Sequence, residues 1–247
     1  MNTRPVVLIT GASRGIGRAS AKIFAENGYR VCINYRSDKA SALSLEQELN
    51  AKESVALAVQ ADISNEQDIV NLFNRVDEHF GQLDVLVNNA GTIAPQAKIE
   101  SFTAQRMTRL FNTNITGLLL CCREAVKRMG PKKQGCIVNI SSIAARIGAP
   151  NEYIDYAASK GAVDSITRGL AIEVADRNIR VNGVRPGLIY TDIHAGSGEP
   201  GRVDRLKSKV PLGRGGKPEE VAEVIYFLAS DKSSYISGAT IDVGGGR

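Results

Sequence analysis

Histidine is nearly missing from this chain of 247 residues, which contains only His79 and His194. Its four cysteines, Cys32, Cys121, Cys122 and Cys136, show no metal-ligand spacing. A histidine–cysteine metal centre is therefore excluded as a reading, and no metal site is expected. Cys32 and Cys136 fall in strand-like apolar runs, and Cys121 and Cys122 in a helical segment. That is the pattern of buried thiols in a reducing compartment. No apolar stretch is long enough to span a bilayer, and Met1-Asn2-Thr3-Arg4 runs directly into an apolar strand without a signal-like segment. The expectation is a cytoplasmic protein with no membrane partner. A single-sign charge field is missing too. The net charge of +5, from 31 basic and 26 acidic residues, is scattered and forms no stripe suited to nucleic acid.

What is present is alternation. Apolar runs at 6–9, 30–35, 54–59, 83–87, 136–140, 179–184 and 239–243 read as strands. Helical patterns fall between them, at 16–27, 39–51, from a cap at Ser64 to 79 or 80, 103–129 with an irregularity near Thr113, 156–175 and 218–228. Strands that are apolar throughout belong in a parallel sheet buried on both faces. Right-handed crossovers then give an α/β fold: a single Rossmann-like domain over 1–247, with a doubly wound seven-stranded parallel sheet. No linker or internal repeat divides the chain. The stretch 187–217 carries no clear pattern and has glycines at 196, 198, 201, 213, 215 and 216. It reads as a substrate lid over 188–217, or as a surface loop.

Two local motifs carry chemistry. Thr10-Gly11-Ala12-Ser13-Arg14-Gly15-Ile16-Gly17 joins the first strand to the first helix. Glycines at 11, 15 and 17 let the backbone turn sharply and approach phosphate oxygens, and the helix start offers free N–H groups. No Lys-Ser or Lys-Thr follows as a Walker loop requires. A methyltransferase loop stays open on this segment alone. The second strand ends Asn34-Tyr35-Arg36-Ser37 without a carboxylate, where a carboxylate would hold the ribose hydroxyls of NAD. Arg36 with Arg14 suits a ribose 2′-phosphate, so NADP is expected, with NAD the weaker alternative; Arg36 as a plain surface residue is the other reading. Asp62, past the third strand, faces either an adenine amino group or a helix cap.

The second motif is Tyr156-Ala157-Ala158-Ser159-Lys160. Helical spacing brings the lysine to the side of the tyrosine, whose free pKa of about 10 makes it a poor base. A nearby ammonium favours the phenolate and lets Tyr156 take or give a proton. Tyr153 is a decoy, because Ala157 rather than lysine lies four residues on. Ser142 follows the fifth strand, where its hydroxyl can donate to a carbonyl oxygen. Ser141 is the fallback, pointed to the other side by strand alternation.

Taken in order, Thr10-Gly11-xxx-Gly15-x-Gly17, Asn88-Asn89-Ala90-Gly91, Asn114, Ser142, Tyr156-xxx-Lys160 and Pro186-Gly187 resemble the pattern of the short-chain dehydrogenase/reductase family along essentially the whole chain. Asn34-Tyr35-Arg36-Ser37 and Ile241-Asp242-Val243-Gly244-Gly245-Gly246 make it most similar to glucose-1-dehydrogenase-like and 3-oxoacyl-carrier-protein-reductase-like members. The resemblance implies an NADP(H)-dependent oxidoreductase acting on a sugar or a β-ketoacyl substrate. It implies that Asn114, Ser142, Tyr156 and Lys160 are catalytic, with Asn114 holding a water that links Lys160 to solvent. Cofactor contacts would come from Gly11, Ser13, Arg14, Gly15, Ile16, Gly17, Arg36, Asp62, Ile63, Asn89, Ala90, Gly91, Tyr156, Lys160, Pro186, Gly187, Ile189 and Thr191. Lys160 would also bond the nicotinamide ribose. The family also implies a homo-oligomer, a tetramer paired through the helices at 103–129 and 156–175. One departure is plain: Ser142 lies fourteen positions before Tyr156, one more than usual, and the extra residue is assigned to 146–155. The rival reading is a nucleotide-binding regulatory protein of the same fold without turnover.

Overall fold

Seven short strands, β1 (Val6–Ile9), β2 (Arg30–Tyr35), β3 (Ala56–Gln60), β4 (Val85–Asn88), β5 (Gly135–Ile140), β6 (Ile179–Pro186) and β7 (Thr240–Val243), pair side by side in the order β3-β2-β1-β4-β5-β6-β7. Every pairing is parallel. The computed structural model describes residues 4–52 and 54–247. Met1, Asn2 and Thr3, read as leading straight into β1, lie outside the described residues.

Strand alternation splits the core in two. Val7, Ile9, Val31, Ile33, Val87 and Val138 face one side, under α1 (Gly15–Glu26), α2 (Lys39–Asn50) and α10 (Pro218–Ala229). Val6, Leu8, Cys32, Leu86, Ile137 and Val181 face the other, under α3 (Glu66–Phe80), α5 (Leu118–Met129) and α7 (Ile154–Glu173). Leu8, Ile9, Ile33 and Leu86 are completely buried, and each such side chain contributes about 2 kcal/mol by leaving water. Burial on both faces is why these strands read as apolar throughout. The order reverses between β1 and β4, and the crevice at their carboxyl ends is where ligands bind in open sheets of this kind.

Several local expectations are corrected. The cap of α3 is Asn65, whose side chain accepts from the Asp68 N–H, and not Ser64. β3 and β4 begin two residues later than read, and β6 continues to Pro186. α7 begins at Ile154, two residues earlier. The single helix expected over 103–129 is three pieces: α4 (Ala104–Phe111), a π-helical segment (Asn112–Gly117) and α5. The irregularity near Thr113 is thus a π turn, which widens the helix and redirects its side chains. Gly117 ends that segment pressed against the Ile63 carbonyl.

The stretch past Gly187 is better ordered than its sequence suggests. It contains α8 (Ile193–Gly196) and α9 (Arg202–Leu206), and Leu188, Val203, Leu206 and Val210 form a small core of their own. Its two ends are joined, because Tyr190 N–H donates to Gly216 O at 3.0 Å and Gly216 N–H to Leu188 O at 2.9 Å. Helices of four and five residues are too short to show periodicity. Across 146–155, Gly148, Ala149 and Asn151 all adopt positive φ, in the turn after α6 (Ala144–Ile147).

Gly117→Ala tests the packing of the π segment. Its methyl group would collide with the Ile63 carbonyl oxygen, so a loss of about 2 kcal/mol is expected, seen as a fall of several degrees in thermal midpoint by circular dichroism.

Candidate active site

The glycine loop is built by close approach. Gly11 has φ of +62°, and a methyl group there would lie 2.9 Å from the Ala90 Cα. One on Gly17 would lie 2.5 Å from Asn89 Nδ2, so that glycine serves the packing of α1 onto the strand edge. Two buried or half-buried asparagines hold the loop. Asn34 Oδ1 accepts from Gly11 N–H at 3.2 Å, and its amide donates to Ala61 O at 3.0 Å. Asn89 Nδ2 donates to Thr10 O at 2.9 Å and Gly11 O at 3.0 Å, while Thr10 Oγ1 accepts from Asn89 and Ala90 N–H. Asn34 was read only as part of a strand end; its distant partners lie in two other segments, the glycine loop and the end of β3, which no local pattern reveals.

The start of α1 is left bare. Asp38, Asn65 and Thr103 cap α2, α3 and α4 with side-chain oxygens, whereas Arg14 gives α1 no side-chain cap and no acid lies in its first turn. Its N–H groups and positive dipole end are open to an anion. Beyond them, Arg14 and Arg36 are exposed at the rim of the crevice. Asp38 was missed. It lies on the same rim, but its carboxylate is bonded to the Ser41 N–H as the cap of α2. Those Ser41 bonds, with Arg14 nearby, hold its carboxyl below the usual range. Asp62 Oδ1 accepts from the Ser64 N–H and hydroxyl, in a turn before α3 and not as its cap.

At the other end, β5 and α7 meet. Lys160 is buried, and its Nζ donates to Ile140 O at 2.7 Å and lies 5.6 Å from the Tyr156 ring centre. Burial drives the lysine down to about 8, with the charge of Asp164 pulling the other way. Burial pushes the half-buried Tyr156 up to about 12, with the Ser142 hydroxyl beside it acting in the opposite sense. Ser142 Oγ accepts from Ala144 N–H at 3.1 Å. Ser141 donates to the Lys160 carbonyl at 3.0 Å, so its hydroxyl is spent on the α7 backbone.

Asn114 comes from the π segment. Its Oδ1 accepts from Thr92 N–H at 2.8 Å, and its Nδ2 donates to Thr92 O and Ser159 Oγ. A methyl group on Gly91 would lie 3.4 Å from Lys160 Nζ and 3.6 Å from Asn114 Oδ1, so that glycine keeps the space before the lysine clear. Gly187 is pressed against Gly244, and Thr191 approaches Gly15 from the lid side. All the expected catalytic and cofactor-contact residues line one cleft of about 1120 Å³ except Gly17 and Asn114, which are buried behind its wall.

The segment 188–217 contributes residues that the sequence suggested were solvated. Arg202 is buried, with its guanidinium 5.0 Å from the Tyr153 ring centre. It pairs with Glu152 and, at 2.8 Å, with Glu199, which also pairs with Arg205. Tyr153, the decoy of the sequence, lies within 3.4 Å of Ser197 Oγ through its hydroxyl. His194 lines the cleft as well, and burial, with Arg202 nearby, holds its imidazole below the usual range.

Comparison with known proteins agrees with this architecture. A family model described as enoyl-(acyl carrier protein) reductase matches residues 11–247. The chain is 52% identical over 245 residues to the uncharacterized oxidoreductase YgfF of Escherichia coli (strain K12), covering 98% of this chain and 99% of that protein. It is 37% identical over 239 residues to the 3-oxoacyl-[acyl-carrier-protein] reductase FabG of Staphylococcus aureus (strain Mu50), covering 97% and 96%. Among solved structures it resembles the 3-ketoacyl-(acyl-carrier-protein) reductase of Brucella melitensis complexed with NADH, with a TM-score of 0.91, 37% identity and 98% of each chain covered. No helix among the described residues is long and apolar enough to cross a membrane.

Replacing Arg202 with methionine keeps its packing on Tyr153 and removes its ion pairs with Glu152 and Glu199, leaving Arg205 as their remaining cation. The expected loss is about 2 kcal/mol, with faster amide hydrogen exchange over 193–209 than elsewhere; uniform protection would show that this segment does not depend on the ion pairs of Arg202.

Proposed function

The chain belongs to the short-chain dehydrogenase/reductase family, and from that premise we propose that it is an NADP(H)-dependent oxidoreductase interconverting a carbonyl and a secondary alcohol. The observation that carries this reading is the meeting of Ser142, Tyr156 and Lys160 in the cleft that begins at an uncapped helix N-terminus. The bound nicotinamide would supply hydride transfer. The chain's own groups fit that cofactor. The bare start of α1 suits a pyrophosphate, the space kept by Gly91 suits the nicotinamide end, and Arg14 and Arg36 suit a 2′-phosphate. Asp38, two positions past Arg36 on that rim, is engaged as a helix cap, which supports NADP over NAD.

In reduction, the Ser142 hydroxyl donates to the substrate oxygen and Tyr156 gives the proton. Lys160 favours the phenolate that remains. Asn114 holds Thr92 and Ser159 in place beside them. Residues 188–217 act as the substrate lid. Similarity to 3-oxoacyl-carrier-protein reductases supports a β-ketoacyl substrate, with a sugar as the second candidate. We take the assembly to be a homotetramer in the cytoplasm; exposed Leu119 on α5 and Ile172 on α7 support pairing through those helices.

Turnover is measured as NADPH consumption against a β-ketoacyl thioester, a diketone and aldehydes, with NADP plus glucose in reverse. Tyr156→Phe is expected to lose about a thousandfold and Ser142→Ala about a hundredfold. Ser141→Ala costs about 1 kcal/mol of stability and lowers turnover far less than Ser142→Ala. Clear NADPH binding without turnover on any substrate favours the regulatory alternative. Arg36→Ala should weaken NADPH binding about tenfold by fluorescence titration and leave NADH binding unchanged; equal NADPH affinity removes the 2′-phosphate clamp.

A further inference from the structure

Four charged side chains outside the cleft lining have no part in the reading above. Arg146 pairs with Asp242, Arg185 Nη1 donates to Asp242 Oδ1 at 3.0 Å, and Arg185 Nε donates to Asp164 Oδ2 at 2.9 Å. The chain of charges ends one helical turn beyond Lys160. Asp164 follows Lys160 by four residues on α7, and Arg185 immediately precedes Pro186 at the end of β6. Tyr156, Lys160 and Asp164 therefore recur along one face of the helix. Helical side chains lean toward the N-terminus, which brings Asp164 back over the turn that bears Lys160.

Only one oxygen of Asp164 is bonded. Its Oδ1 is buried without a hydrogen-bond partner among the described residues. The carboxylate as a whole is 20% exposed and shares its other oxygen with Arg185, so its field reaches the next turn reduced but not cancelled. The remaining elements packed on Lys160 present neutral groups: the Ile140 carbonyl from β5, Gly91 from the loop after β4, and Asn114 from the π segment. Tyr156, on α7 itself, is the other titratable neighbour. The attraction opposing the burial of Lys160 comes from Asp164. Burial also works against the charge of Arg185, and its bonds to Asp242 and Asp164 outweigh that effect.

We propose that Asp164 and Arg185 are a positioning pair for Lys160, in which the carboxylate holds the lysine as an ammonium and the guanidinium, by sharing that carboxylate, limits how firmly. This rests on the reading of Tyr156 and Lys160 as the proton-transfer pair. Neither Asp164 nor Arg185 lines the cleft. They act through Lys160, and the sharing of Arg185 between Asp164 and Asp242 sets how much negative charge the lysine meets.

The lysine can be titrated directly, without turnover, in the full chain labelled with ¹³C at the lysine Cε; its resonance is the one lost in Lys160→Arg. A midpoint of about 8 is expected for the parent protein. Asp164→Asn removes the attraction and moves the midpoint down by about one pH unit, whereas Arg185→Gln leaves Asp164 unshared and moves it up by a similar amount. Arg185→Lys returns it toward the parent value. A loss of packing alone does not produce opposite signs. Displacements of the same sign, or none in either variant, overturn the proposal. Should Arg185→Gln fail to fold, Asp164→Asn decides by itself, and a midpoint that does not fall overturns the pair. Tyr156→Phe keeps the two readings apart. Full turnover in that variant removes the proton-transfer assignment; an inactive Tyr156→Phe beside an unmoved Lys160 midpoint removes only the Asp164–Arg185 pair.

Discussion

The site depends on one reciprocal clamp between α7 and β5. A buried ammonium is costly unless it is bonded, and Lys160 meets that need through the Ile140 carbonyl. The next residue, Ser141, returns a bond from its hydroxyl to the Lys160 carbonyl. Two bonds of opposite sense thus join the strand end to a single helical residue. Their effect is positional: Ser142 follows Ser141 directly, and Tyr156 is one turn before Lys160, so the clamp fixes the separation of the two hydroxyls. The strand edge then does more than end a sheet. It spends one serine on structure and leaves the next facing the cleft.

Asparagine performs the same service at three other points. An amide both donates and accepts, so it can bridge two backbone groups without bringing a charge into a dry region. Asn34 ties the glycine loop to β3, Asn89 ties it to β4, and Asn114 ties the π segment to the loop at Thr92. The π turn is what aims Asn114 inward. Gly117 at its end allows the helix to close on Ile63, which belongs to the far side of the same cleft. Both ends of the cleft therefore lean on one irregular helix.

The parts legible in the sequence were the local ones. Glycines at 11, 15 and 17 and the four-residue step from Tyr156 to Lys160 depend on contiguous backbone geometry, and the unbroken apolar strands reported a sheet covered on both sides. The parts that were not legible depend on distant partners. Arg202 looks like a solvated lid residue until Glu152, fifty positions earlier, is seen beside it. Asp38 stands two positions past Arg36 and is silent because the cap of α2 consumes it. Ser64 and Asn65 are both good capping residues, and the register of α3 on the sheet, which composition does not reveal, selects the second. Thr113 signalled an irregularity, but a π turn and a simple break look alike in sequence.

The same distinction bears on substrate selection. The lid brings Arg202 and Arg205 to the cleft wall, a feature that in isolation suggests an anionic substrate. Glu199 and Glu152 accompany them, and both guanidiniums are engaged. A neutralised pair offers an incoming anion little net field, and an acid would have to displace a glutamate that is already bonded. Ile93, Pro95, Ile147, Pro150, Leu188 and Leu206 line the same cleft, and so do His194 and the cations Arg106, Arg109 and Lys209, of which Arg106 is paired with Asp155. Under the proposed chemistry, discrimination there is shared between apolar contact around the carbonyl and the charges of Arg109 and Lys209, while the ion pairs of Arg202 serve to hold the segment 188–217 against the turn that leads into α7.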